Sequence, residues 1–267
     1  MAKQTLIHLS DIHIGRSSRE GPRFARVVQS IARSYAGVPV LITGDLTDSA
    51  TAGQLAGARG HLDVLAKTNP VLAVPGNHDY AWKGNYLRDG AWDRWVEHLG
   101  APLGWSRAGV RWMAPDVSLA GIEGIGVWPA GDVVFFGIDS GDPNGREASA
   151  RGLVTKRLAD ALGDQLETHA GKTRVAFLHH HPFDHNYFTA LDGAKRLMKT
   201  LGGRCELLLF GHEHKLGVWW KKAGIPLIAA SHKTTNTVFG DHLMITVIEI
   251  SRVGTSDPGL WHRLELV

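Results

Sequence analysis

An α/β fold is expected, on two observations. Apolar runs of strand length alternate with segments of helical period through the first half of the chain, and each of five polar blocks rich in Asp, Asn and His follows such a run. This alternation favours neighbouring parallel strands joined by right-handed crossovers. Loops at the ends of parallel strands face one edge of a sheet, so the five blocks can meet there.

The elements follow in order. Residues 5–10 are the first expected strand, followed by a loop carrying Asp11 and His13. Residues 23–35 set Phe24, Val27, Val28 and Ile31 at helical spacing and stop before Gly37. Residues 38–43 are almost wholly apolar, as in a strand buried on both faces. A second amphipathic helix is expected over 52–67, and a third strand over 71–74 leads into Pro75-Gly76-Asn77. The stretch 80–130 is different: rich in Trp (Trp82, Trp92, Trp95, Trp105, Trp112, Trp128), Gly and Pro, with weak periodicity. It reads as a short helix over 91–99 among loops, an insertion or lid whose aromatics mostly pack. Beyond it come a strand at 133–139, a helix at 153–169, a strand at 175–178, a helix at 190–201 and a strand at 206–210. From Gly217 onward, four segments (217–221, 226–230, 243–250, 261–267) read as an antiparallel meander. No linker or repeat interrupts the chain, so one domain over 1–267 is expected.

Composition narrows the function classes. Of 267 residues, 43% are hydrophobic and 21% charged, ordinary for a globular protein. The 29 Lys and Arg against 26 Asp and Glu leave a net charge of +3, with the basic residues scattered. No track for a nucleic-acid backbone is visible, so nucleic acid is disfavoured as a partner though left open. The single Cys205 excludes an intramolecular disulfide and argues against a thiolate zinc site; a buried, inert thiol is expected. Neither an export signal nor a membrane-spanning apolar run is present, so a cytoplasmic location and no membrane partner are expected. Oligomeric state is unreadable, and a homo-oligomer is allowed.

The five blocks are Asp11-Ile12-His13, Gly44-Asp45-Leu46-Thr47-Asp48, Gly76-Asn77-His78-Asp79, His179-His180-His181-Pro182 and Gly211-His212-Glu213-His214. Their oxygen and nitrogen donors suit Mn, Fe or Zn rather than a soft ion. A two-metal site needs a carboxylate to bridge the ions, and Asp45, ending a buried strand after a glycine, is the best candidate. Asp11 and His13 stand two apart, so in extended backbone they project to one side and can grip one ion; His212 and His214 repeat the spacing. Blander readings stand beside these. Asp48 or Asp79 alone would be a turn or cap residue. Glu213 is expected to face away from the metals. His185 and Asn186 either line a pocket mouth or sit in a solvated loop. Ser231-His232-Lys233 reads as a surface loop more than a substrate contact, and His8, His61, His98, His169, His242 and His262 default to structural or exposed roles.

The ordered set D-x-H, G-D-x-x-D, G-N-H-D, H-x-P and G-H-x-H resembles the calcineurin-like metallophosphoesterase superfamily, over Asp11 to His214. That resemblance implies a four-layer α/β/β/α sandwich with two packed mixed β-sheets. It further implies one ion held by Asp11, His13, Asp45 and His214 and a second by Asp45, Asn77, His180 and His212, His180 being chosen because family members place the ligand two residues before the proline. A hydroxide between the ions would attack phosphorus; His78 would serve the leaving oxygen, oriented by Asp48. The compact chain is similar to the bacterial class III cyclic-nucleotide and glycerophosphodiester phosphodiesterases, which implies a small diester as substrate. Phosphomonoesterase and nuclease activities are the alternatives within the superfamily. Asp48 stands where purple acid phosphatases carry an iron-binding Tyr, which speaks against a purple Fe(III) site, and the protein-phosphatase continuation after it is missing. A non-catalytic metal-binding scaffold is disfavoured by the intact blocks, and a mononuclear zinc peptidase by the lack of H-E-x-x-H.

Overall fold

The computed structural model describes residues 3–80, 90–100, 124–142, 149–255 and 258–267. Trp82, Trp105 and Trp112 lie outside the described residues, as does the side chain of Trp92, and with them most of the expected lid.

The first half runs β1 (Gln4–Leu9), α1 (Glu20–Ser34), β2 (Val40–Thr43), α2 (Ala52–Leu65), β3 (Val71–Val74) and a single helical turn, α3 (Asn77–Tyr80). A short α4 (Ala91–Trp95) passes into a π turn at Val96–Gly100. Then come β4 (Ile125–Ala130), β5 (Val133–Ile138), β6 (Gly152–Leu153), α5 (Lys156–Thr168), β7 (Thr173–Leu178) and β8 (Leu191–Asp192). The chain finishes with α6 (Ala194–Leu201), β9 (Leu207–Phe210), β10 (Gly217–Lys222), β11 (Ile225–Ala230), β12 (Met244–Ile250) and β13 (Leu260–Leu266).

Two mixed sheets pack face to face. One has the order β13-β12-β1-β2-β3, the other β10-β11-β9-β7-β5-β4. Strands β1, β2 and β3 are parallel, as are β5, β7, β9 and β11; antiparallel strands close the sheets. Alternate side chains explain the continuous apolar runs. Leu6, Leu41, Leu72, Phe135, Phe177 and Leu209 fill the layer between the sheets. Their neighbours in sequence, Ile7, Ile42 and Ala73 on one sheet, pack outward with Phe24, Val27, Leu55 and Leu62 of α1 and α2. On the other sheet Phe136, Ala176, Leu178 and Leu208 pack with Leu158 and Leu162 of α5 and Leu197 and Leu201 of α6. The result is α/β/β/α layering with strands buried on both faces.

Three boundaries differ from the expected ones for local reasons. The helix expected over 153–169 begins at Lys156, because Thr155 caps it by accepting from Leu158 N–H, while Gly152–Leu153 pairs with β8. The helix expected over 190–201 begins at Ala194. Gly193 stands before it at φ +82°, where an added Cβ would lie 2.1 Å from the Val154 carbonyl oxygen. The expected meander after Gly217 is split: β10 and β11 finish one sheet, with β11 parallel to β9, whereas β12 and β13 finish the other. Among the described residues no helix is long and apolar enough to cross a membrane.

Candidate metal centre

The carboxyl ends of β1, β2, β3, β7 and β9 open onto one edge of the sandwich, and the five blocks meet there. Their backbone is unusual. Asp11 (φ 54°), His13 (54°), Asp45 (53°), His212 (77°) and His214 (55°) all adopt the left-handed conformation without being glycine. Each such residue costs on the order of 1–3 kcal/mol and persists only where surrounding structure imposes it. The extended backbone invoked for the D-x-H and H-x-H spacing is therefore absent. Asp11 and His13 still converge, because two left-handed residues flank Ile12, which is buried in the core.

Glycine supplies the room. A Cβ on Gly76 would lie 2.1 Å from Asp45 Oδ1, and one on Gly211 would lie 1.8 Å from Ser10 Oγ and 2.6 Å from Asp11 Oδ2. Asp79 is the organising residue that its turn-like context concealed. Fully buried, its carboxylate accepts from the N–H groups of Leu46 (3.1 Å), Thr47 (3.0 Å) and Gly76 (3.0 Å), and from Thr47 Oγ (2.9 Å). It thus ties the Asp45 loop to the Asn77 loop. Burial, helped by nearby Asp45, pushes its pKa up to about 6 against these hydrogen bonds.

Asp11, His13, Asp45 and His214 each offer one ligand atom, all within 4.8 Å of one another. His214 Nε2 lies 3.3 Å from Asp11 Oδ1, His13 Nε2 lies 3.6 Å from Asp45 Oδ2, and the two Nε2 atoms are 3.1 Å apart. Asp11 Oδ1 is buried without a hydrogen-bond partner. Burial opposes the charge on Asp11, yet His214 beside it and the other surrounding imidazoles hold its carboxyl well below the usual range. His214 responds in kind: burial disfavours its charge, but the Asp11 carboxylate raises its pKa. Burial keeps His13 neutral.

A second group faces Asp45 from the other sheet, and here the structure corrects the sequence reading. His179, not His180, points at it. Its Nε2 lies 2.9 Å from Asn77 Oδ1, 3.1 Å from His212 Nδ1 and 3.5 Å from Asp45 Oδ2. The reason is strand alternation: Phe177 faces the layer between the sheets, so His179 does too, while Leu178 and His180 face the other side. His180 sits against Ser140, its Nδ1 2.9 Å from the hydroxyl. Counting back from Pro182 names His180; counting forward from Phe177 names His179, the ring that lies beside Asp45 and Asn77. His181 packs against Phe210 at 4.6 Å between ring centroids.

Hydrogen bonds at the far sides of these rings fix where the lone pairs point. His179 Nδ1 donates to the Thr43 carbonyl (2.8 Å), leaving Nε2 as an acceptor. His212 Nε2 donates to the Thr189 carbonyl (3.2 Å), leaving Nδ1 as an acceptor. Two imidazole lone pairs thus face each other beside the oxygens of Asn77 and Asp45. Acceptors aimed at acceptors in a buried site fit a cation, and carbonyls that accept from the far ring nitrogen orient metal-binding imidazoles in this way. Burial also drops the His212 pKa to about 3, so the ring is neutral and competent to ligate. The donor set of nitrogen and oxygen suits a divalent ion of the first transition row.

His78 lies beside both groups, its ring 4.5 Å from that of His13, and its backbone N–H donates to Asp45 Oδ1 (2.9 Å). Its link to Asp48 differs from the expected one. His78 Nδ1 donates to the Asp48 backbone carbonyl at 2.7 Å, while the Asp48 carboxylate stands 3.8 Å away. Ser231-His232-Lys233, expected as a surface loop, is buried and stitched to β1, with Ser10 N–H donating to Thr234 Oγ (2.9 Å). Lys233 Nζ pairs with buried Glu20 at 3.3 Å. Cys205 is buried and free, and burial pushes its thiol up to about 12, an inert form.

The sequence profile of the calcineurin-like phosphoesterases matches residues 5–216. No curated protein is significantly similar in sequence. Among solved structures, GAP50, the anchor in the inner membrane complex of Plasmodium, aligns over 100% of this chain and 85% of its own, with a TM-score of 0.61 at 13% identity. PhoD aligns over 100% of this chain and 72% of its own, with a TM-score of 0.61 at 10% identity. The calcineurin-like phosphoesterase YfkN of Bacillus subtilis covers 99% of this chain and 90% of its own, at 0.50 and 12%. At such identities the likeness is one of fold.

Proposed function

The chain belongs to the calcineurin-like phosphoesterase family, and from that premise we propose that it is a metal-dependent hydrolase of phosphoesters, acting by preference on small diesters. In this reading Asp11, His13, Asp45 and His214 hold one ion, and Asp45, Asn77, His179 and His212 hold the other. Two divalent ions so placed supply Lewis acidity, activating water and offsetting charge on the phosphoryl oxygens. The chain's own groups do the rest. The Asp45 carboxylate stands between the two ligand groups, within 3.6 Å of His13 and 3.5 Å of His179. The Asp48 carbonyl holds the Nδ1 proton of His78, which fixes the tautomer and aims Nε2 outward to serve the leaving oxygen. Asp79 keeps the loops of Asp45 and Asn77 in register.

The observation that carries this reading is the convergence of imidazole lone pairs and carboxylate oxygens around Asp45, more acceptors than the one backbone N–H of His78 can satisfy. The test is Mn-dependent turnover of bis-p-nitrophenyl phosphate. Asp45→Ala and Asn77→Ala should each lower kcat/KM by about 100-fold or more, as ligand loss does. Wild-type rates in both variants would refute the assignment. Metal content after reconstitution separates an enzyme from a scaffold: less than about one ion per chain would favour the scaffold.

A further inference from the structure

Between the loop 182–191 and the start of α6 lies a cleft of about 630 Å³, within the range of small-ligand sites. Arg151, Tyr187, Leu191, Lys195 and Arg196 are among its lining residues. It is joined to the candidate metal centre through residues next to its lining. The Thr189 carbonyl that holds His212 immediately precedes the lining residue Ala190. Gly152 packs so tightly on His180 that an added Cβ would lie 2.5 Å from the ring, and Arg151 is its neighbour.

The charge in this cleft is lopsided. Arg151 is already neutralised by both oxygens of Asp192, which leaves Lys195 and Arg196 against one carboxylate in the lining, Asp184, whose oxygens accept from Asn186 N–H and the Thr189 hydroxyl. Arg151 is held by Asp192 and stands 5.4 Å over the Tyr187 ring, and Arg196 Nη1 donates to the Val154 carbonyl (3.0 Å). Both are thereby positioned rather than waving in solvent. Lys195 is exposed and makes no hydrogen bond or ion pair among the described residues. At the rim Tyr187 and Phe188 are each 61% exposed, a large apolar surface to leave in water beside a cationic cleft.

Resting on the proposed function, we propose that this cleft is a second anion subsite of the same active centre. It would hold a phosphate that the substrate carries beyond the ester being cut, with the flat part of that substituent against Tyr187. This narrows the substrate class to doubly anionic phosphoesters. Cyclic nucleotides and glycerophosphocholine-type diesters, with one phosphate each, would leave the cleft unused.

The test compares two esters that release the same p-nitrophenolate: thymidine 5′-(p-nitrophenyl phosphate), and the same compound with a 3′-phosphate. With the Mn-loaded full chain, the doubly anionic ester should have a kcat/KM about tenfold or more higher, the effect of one well-placed charge pair. Lys195→Glu should remove that advantage and leave turnover of bis-p-nitrophenyl phosphate unchanged. An acid in the first turn of a helix is favourable to folding, so loss of structure does not confuse the result. Equal rates for the two esters in wild type, or an equal fall for both in Lys195→Glu, would overturn the subsite. A binding measurement keeps the idea separate from catalysis. Metal-free protein titrated with thymidine 3′,5′-bisphosphate in a calorimeter should bind it, about tenfold more weakly in Lys195→Glu. If bis-p-nitrophenyl phosphate is not hydrolysed at all but this binding is seen, the proposed function fails and the subsite stands. If inorganic phosphate binds as tightly as the bisphosphate, the cleft takes free phosphate only and the subsite is refuted.

Discussion

His179 and His180 are adjacent, buried and chemically identical, yet their surroundings assign them opposite work. The Thr43 carbonyl fixes the tautomer of one and Ser140 holds the other. His179→Ala should therefore reduce bound Mn from about two ions to about one per chain, whereas His180→Ala should keep both, counted by elemental analysis after dialysis. Equal loss in both variants would mean that the pair acts together. Asp79 teaches the same lesson. In sequence it is only the last letter of Gly76-Asn77-His78-Asp79, and nothing local announces four hydrogen bonds to two loops. The candidate ligands were legible because Asp, Asn and His in five ordered blocks have few other reasons to occur together. Which member of a run of three histidines faces the partner sheet was not, since that depends on the register of Phe177 against a layer supplied by distant sequence.

Strand β1 shows how an element carries both packing and pH sensitivity. Leu6 and His8 face the layer between the sheets, while Ile7 and Leu9 face the helices. His8 is fully buried, with Nε2 2.9 Å from Thr43 Oγ. Burial, reinforced by His262 and His232, drops its pKa to about 3 from the usual 6.5. A histidine whose folded pKa is depressed stabilises the fold above pH 6.5, and that contribution is lost as pH falls from 6.5 toward 3. At full extent the linkage is worth about 5 kcal/mol. His8→Leu, which keeps the apolar contacts, should flatten the acid side of a plot of Tm against pH in metal-free protein; an unchanged acid limb would show that His8 titrates normally. At this scale the sequence was most readable. Uninterrupted apolar runs located the strands because both faces of each sheet are covered. The boundaries at Thr155 and Gly193 were not readable, because a cap and a left-handed glycine acquire meaning only beside β6 and β8.

The whole molecule places its candidate ligands on two sheets that meet through a largely apolar layer. Asp11, His13, Asp45 and Asn77 come from one sheet and His179, His212 and His214 from the other. Ions held between them would bind the folded sandwich and not the unfolded chain. Mn at about 100 times its Kd should therefore raise Tm by roughly 5–10 °C, reversibly with EDTA. A Tm indifferent to metal would mean that the two sheets do not share it. The split of the tail between the sheets, invisible in sequence, is what closes this architecture.

Pairing of β12 with β1 also has a meaning during synthesis. The second strand-neighbour of β1 is not made until residues 244–250 emerge, and Asp11 must await His214. A nascent chain leaving the ribosome thus carries its first candidate ligands for most of its translation with one flank of β1 open. Order at the amino-terminal end is conferred last, by sequence that has yet to be read.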